Sequence, residues 1–226
     1  MHEIDIFIKD PLPPKIDPDV VFSSFKRIIP SHLLSGVDII YIGQFDVFKE
    51  KDVNAVFQDG AIYVTNEQSS NEDMIDDIIH ELAHSVEEKY TEFIYGDSEL
   101  KEEFLKKRRT LYSILEAYKY NPPNTLRTNT HYEKNIDLYL YKAVGYEALW
   151  NLISGIFPSP YSSTSLREYF AIGFEFYFMK DKSVIRKLCP ALYSKFQSLE
   201  FMGEKWNSTY LIRNLKHGQN ALENTN

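Results

Sequence analysis

Two histidines stand four residues apart, with a glutamate directly after the first: His80-Glu81-Leu82-Ala83-His84. On a helix, residues four apart share a face, with Cβ atoms roughly 5–6 Å apart. Two imidazoles so placed converge on one cation at bond lengths of about 2.0–2.1 Å. Glu81 then falls beside the ion and not on it, within reach of a bound water. A zinc ion lowers the pKa of such a water toward about 7. The neighbouring carboxylate takes its proton as the oxygen attacks a carbonyl, and passes it to the leaving amine. The bland alternative is a pair of surface or core-satisfied histidines, which needs no metal.

Catalytic zinc takes three protein ligands and leaves one position open, so the pattern requires a third donor. His131 and His217 are isolated, one in a polar loop and one near the tail. The remaining choice is a carboxylate on another helix. Glu168, in Ser165-Leu166-Arg167-Glu168-Tyr169-Phe170-Ala171, is the first candidate. Ser165-x-x-Glu168 is also a capping box, which serves a helix start without any metal. Glu175 lies about two turns further on a similar face, and Glu147 is a third option.

These residues need elements to hold them. Ser70 to Tyr90 reads as a helix: Ser70 caps it, Asp73 sits at the capping-box position, and Glu72, Asp73, Asp76 and Asp77 put negative charge near its positive end. Ile75, Ile78, Ile79, Leu82 and Val86 form an apolar stripe at helical spacing. Ahead of it, residues 53–65 read as a hairpin turning at Asp59-Gly60, with Ala61 to Thr65 as its second strand. Val37 to Ile42 is a further strand, and Val20 to Ile29 a short helix ended by Pro30. Residues 11–19 are a Pro-rich entry without regular structure. Asp97 to Tyr118 is a second amphipathic helix carrying Leu100, Phe104, Leu111 and Leu115 on one side, broken by Asn121-Pro122-Pro123-Asn124. Ile136 to Ile153 and Ser165 to Met179 follow as helices. Ser183 to Phe201 gives one or two more around Pro190, and the tail after His217 is polar and frayed. A few strands followed by many helices predict an α+β fold.

Composition narrows the function classes. The chain has 226 residues, 43% of them hydrophobic, enough for one sizeable core. Its net charge is −8, and the basic cluster Lys106, Lys107, Arg108, Arg109 sits inside an acidic helix, which argues against a nucleic-acid surface. The single cysteine, Cys189, makes no disulfide within the chain and reads as a small buried hydrophobe. The opening MHEIDIFIKD lacks a secretory pattern, and no segment reaches membrane-spanning length. A cytoplasmic protein that engages no membrane is the expectation, with secretion by a non-standard route as the alternative.

His80-Glu81-Leu82-Ala83-His84 followed by Glu168-Tyr169-Phe170-Ala171-Ile172-Gly173-Phe174 resembles the paired elements of the anthrax lethal factor catalytic domain, the Pro-Pro endopeptidases and the Mlc titration factor A peptidases. The resemblance implies a zincin-like fold, a small mixed sheet with an edge strand packed on the HExxH helix, and a mostly helical C-terminal half. It implies one Zn2+ per chain held by His80, His84 and Glu168. It also implies Glu81 as the catalytic carboxylate and Tyr161, seven residues before Glu168, as the oxyanion donor. Ala61, Ile62, Tyr63 and Val64 fall where zincins pair a strand with extended substrate. The second element departs at Ile172, where the pattern often carries another Glu. Within one domain spanning 1–226, residues 97–145 read as a helical insertion that shapes the cleft, and residues 1–35 as an N-terminal extension.

The implied function is a zinc metallopeptidase acting on a peptide or protein. An intracellular zincin that cleaves one specific partner, as the ImmA/IrrE-like peptidases do, is a second expectation. A non-catalytic zinc-binding module is the third, and Glu81 argues against it, because a pure binding site has no use for a base.

Overall fold

The computed structural model describes residues 3–51 and 53–203, so His217 and the tail lie outside the described residues. The fold is mixed α+β around a four-stranded sheet. The strands are β1 (Asp5–Ile8), β2 (Ile39–Ile42), β3 (Ala55–Gln58) and β4 (Ala61–Val64), in the order β1-β2-β4-β3. β1, β2 and β4 are parallel, and β3 closes the sheet antiparallel to β4. The hairpin between β3 and β4 forms as expected: Asp59 and Gly60 take φ of 51° and 78°, the left-handed pair that a two-residue turn requires.

Alternation explains the sheet's two faces. Ile40, Ile42, Ile62 and Val64 point inward and are fully buried. On the outer face the register aligns Phe7, Tyr41 and Tyr63 in one row. Tyr41 stacks on Tyr63 with centroids 5.1 Å apart, and Phe7 meets Tyr41 edge-on at 5.9 Å. Such cross-strand rings help hold a register. β1 was not expected from sequence. Its four residues are exposed on both faces, so no alternation marks it.

One position needs correction. Ala61, Ile62, Tyr63 and Val64 do not form an edge strand: β4 is hydrogen-bonded to β2 on one side and β3 on the other. The open edge beside the HExxH helix is β3, because the hairpin folds its first strand outward.

The helices are α1 (Pro18–Ile28), α2 (Asp46–Lys51), α3 (Asn71–Lys89), α4 (Thr91–Tyr95), α5 (Glu99–Ala117), α6 (Lys134–Leu138), α7 (Tyr146–Leu152), α8 (Leu166–Phe178), α9 (Lys182–Leu188) and α10 (190–203). α1 starts earlier than expected, since Asp17 caps it and Pro18 occupies the first turn, where a missing N–H costs nothing. The helix expected over 136–153 is interrupted: a π-helical turn, Tyr139–Gly145, joins α6 to α7, and Gly145 takes φ 85°, a value foreign to a right-handed helix. Cys189 separates α9 from α10, as Pro190 foretells.

α3 runs through the centre. Ser70 caps it as expected, its Oγ accepting the Asp73 N–H at 3.1 Å. One side of α3 packs on α1 and the sheet, the other on α8. Residues 81–86 are buried all round. The segments read as extension and insertion join the same core: Val21 and Phe25 of α1, and Leu100, Phe104, Leu111 and Leu115 of α5, belong to it. Among the described residues no helix is long and apolar enough to cross a membrane.

Ser85 Oγ is buried without a partner, and a Cβ on Gly36 would meet it at 2.3 Å, with other contacts at 3.5 Å or beyond. An unpaired buried hydroxyl costs about 1–3 kcal/mol. Ser85→Ala is therefore expected to leave urea stability unchanged or raise it. Gly36→Ala is expected to cost about 1–3 kcal/mol alone and clearly less in the Ser85→Ala background. Equal costs in both backgrounds would rule out the contact.

Candidate metal centre

α3 brings His80 and His84 onto the face turned toward α8, their ring centroids 5.0 Å apart. The first turn of α8 supplies Glu168. Ser165 Oγ caps α8 by accepting the Glu168 N–H at 3.1 Å. The Glu168 carboxylate does not close the capping box. Its Oε2 lies 3.1 Å from His80 Nε2, and its Oε1 lies 3.8 Å from His84 Nε2. Donor atoms of His80, His84 and Glu168 all fall within 4.8 Å of one another. This set of two imidazoles and one carboxylate is compatible with a bound metal ion.

The other carboxylates take different places. Glu175 approaches His80 from the opposite side, accepting the Nδ1–H at 2.7 Å on Oε1. Its Oε2 accepts from Lys180 Nζ at 3.2 Å. This bond orients the ring and leaves Nε2 to face His84 and Glu168, the arrangement that metal-binding histidines use. Glu147 and His131 are exposed and stand outside the cluster. At His84, Nδ1 sits 3.0 Å from Arg167 Nε and 3.5 Å from Glu87 Oε2.

Glu81 lies on the sheet side of the cluster. Its Oε2 accepts the main-chain N–H of Phe57, on β3, at 2.6 Å. That contact had no signal in the sequence, because any residue supplies a backbone amide. Gln58 and Ala61 flank the two-residue turn, and Thr65 N donates to Asn54 O at 2.8 Å. Antiparallel alternation then turns the main-chain groups of Val56 and Gln58 toward β4. Those of Ala55 and Phe57 face the open edge. Tyr161 is the remaining expected residue, and its ring centroid lies 6.4 Å from that of His80.

Burial and charge set the protonation states. Burial alone would drive His80 toward neutrality, but its bonds to Glu168 and Glu175 outweigh it and hold the imidazolium up to about 10. Burial pushes His84 down to about 3, so that ring is neutral. Glu168 resists the pull of burial through its bond to His80 and the nearby charges, and stays below the usual carboxylate range. Burial raises Glu81, partly opposed by His80 and the Phe57 N–H. Burial, then Glu168 and Asp137, raise the Tyr161 phenol and keep it a donor.

No protein-family model, curated protein or solved structure matches this chain.

A metal taking His80 Nε2 must displace the proton held there. The His80 pKa lies above neutral, so the ring is charged at pH 7 and one proton leaves on binding. His84 and Glu168 release none. Metal affinity is therefore expected to rise about tenfold per pH unit through the neutral range, levelling off toward pH about 10. Calorimetry in buffers of different ionisation enthalpy should return about one proton per ion at pH 7. A value of zero would contradict the charge state assigned to His80.

Proposed function

We propose that the chain is a zinc-dependent peptidase of the HExxH-plus-glutamate type, with one ion held by His80, His84 and Glu168. The convergence of Glu168 on His80 from 88 residues away carries this reading. Chance spacing could place two histidines on one helix face; it would not also bring a buried carboxylate from another helix onto the nitrogen that a metal needs. When bound, such an ion polarises a carbonyl and acidifies a coordinated water.

The chain's own groups supply the rest. Glu81 has Oε2 tied to Phe57 N–H, which leaves Oε1 to accept a proton and return it to the leaving amine nitrogen. Its raised pKa suits it to holding that proton. The Tyr161 hydroxyl, kept protonated by its surroundings, is the donor for a developing oxyanion. The open edge of β3 offers the N–H and C=O of Ala55 and the C=O of Phe57 to an extended peptide, which adds to the sheet as a further strand. This assigns to β3 the role expected of Ala61 to Val64, and the substrate is an extended peptide or a flexible protein loop.

Glu81→Gln is expected to keep stoichiometric zinc by elemental analysis while kcat falls by about 10²–10⁴-fold. Tyr161→Phe should lower kcat by about 10²–10³-fold with little change in KM. A fluorogenic peptide library measures both. The enzyme reading fails if wild type and Glu81→Gln behave alike across that library.

A further inference from the structure

The basic run of α5 is turned partly inward, and its most buried member touches the segment that delivers Tyr161 and Glu168. Arg108 has no solvent exposure. Its Nε donates to Ser163 O at 2.9 Å, Nη2 to Thr164 O at 2.5 Å, and Nη1 to Asn129 O at 2.6 Å. The guanidinium also lies over the Phe104 ring, 4.9 Å from its centroid. A buried cation whose bonds go to main-chain carbonyls carries a desolvation cost that a leucine there would avoid. The fold gains a fixed path for two loops.

Those loops belong to the candidate site. Ser163 and Thr164 lie between Tyr161 and Glu168, in a run where Ser162, Ser163, Thr164 and Ser165 are all buried. Thr164 Oγ1 bonds back to Tyr161 O at 2.7 Å, and Ser165 Oγ caps the amide of Glu168. Asn129 precedes Thr130, whose carbonyl accepts the Leu166 N–H at 2.8 Å. Fixing the carbonyls of 129, 163 and 164 thus fixes both strands of chain at the start of α8. Lys107 adds a flanking hold, donating to Ile156 O at 2.6 Å and Leu188 O at 2.5 Å.

The structure assigns to Arg108 the role of positioning residue for the centre: its planar fork sets the loop that aims Glu168 and Tyr161 at the face of α3 carrying His80 and His84. This rests on the metal-centre reading above. Lysine does not replace it, because one ammonium lacks the rigid fan of donors that spans carbonyls from two segments.

The test uses Co2+ as the probe on the metal-free full chain, reading affinity and the visible ligand-field spectrum. Arg108→Lys is compared with Leu111→Ala, a fully buried apolar change on the same helix, at a temperature where circular dichroism shows both folded. Arg108→Lys is expected to weaken Co2+ binding by about 10–100-fold and to alter the spectrum, whereas Leu111→Ala leaves both as in wild type. With peptide, Arg108→Lys should lower kcat and spare KM, and Tyr161→Phe should then cost less than in wild type. The assignment is overturned if Arg108→Lys keeps wild-type affinity and spectrum, or if Leu111→Ala at equal loss of thermal stability reproduces its effect. If Arg108→Lys does not fold, Arg108→Gln takes its place; failure of both to fold makes the residue purely structural and overturns the assignment. Wild type that binds Co2+ but cleaves nothing refutes the peptidase reading alone, since the metal readout still decides on Arg108. Wild type that binds no Co2+ refutes both.

Discussion

The structure depends on a helix that is buried on every side yet carries polar groups through its middle. Around residues 81–86, α3 contacts the sheet on one side and α8 on the other. Such burial is costly for His84, Glu81 and Ser85 unless each finds a partner. Glu81 finds the Phe57 amide, and His84 finds Arg167 and Glu87. His80, at the rim of this stretch, finds Glu168 and Glu175. Ser85 finds none. Apart from Glu87, one turn along α3 itself, the partners come from β3 and α8, so the contacts that satisfy α3 also assemble the candidate centre.

Electrostatics points the same way. Glu81, Glu87, Glu168 and Glu175 surround the two imidazoles, with Arg167 and Lys180 as nearby cations. The carboxylates outnumber the cations, and the His80 proton offsets part of the excess. A divalent ion at Nε2 would offset more. This local imbalance, and not the net charge of the whole chain, makes the cluster compatible with a bound cation.

Part of the helical half holds the loops beside the candidate centre through side-chain bonds to main-chain groups. α5 shows how: besides Lys107 and Arg108, its Glu103 accepts the Tyr169 hydroxyl of α8 at 2.8 Å and the Ala191 N–H at the start of α10 at 2.8 Å. Three charged residues of this amphipathic helix, Glu103, Lys107 and Arg108, thus anchor loops and helix ends. Charge type was visible there. Which side of the helix would be covered was not, since amphipathic spacing does not reveal how far neighbouring loops extend over a polar flank.

Local signals determined much of the chain by themselves. The Asp59-Gly60 turn, the Ser70 and Ser165 caps, the break at Pro190 and the HExxH spacing depend on a few adjacent residues, whose backbone preferences and side-chain reach are short-range properties. The choice between Glu168 and Glu175 was open in those terms, because two turns of helix return to a similar face. Only the tertiary packing of α8 on α3 separated them, bringing one carboxylate to each nitrogen of the same ring. Packing alone also put β4 inside the sheet and β3 at its edge, turned the Phe57 amide toward Glu81, and buried Arg108 against two loops. Those outcomes depend on groups distant in the chain, and on main-chain atoms that every residue shares, so no residue type announces them.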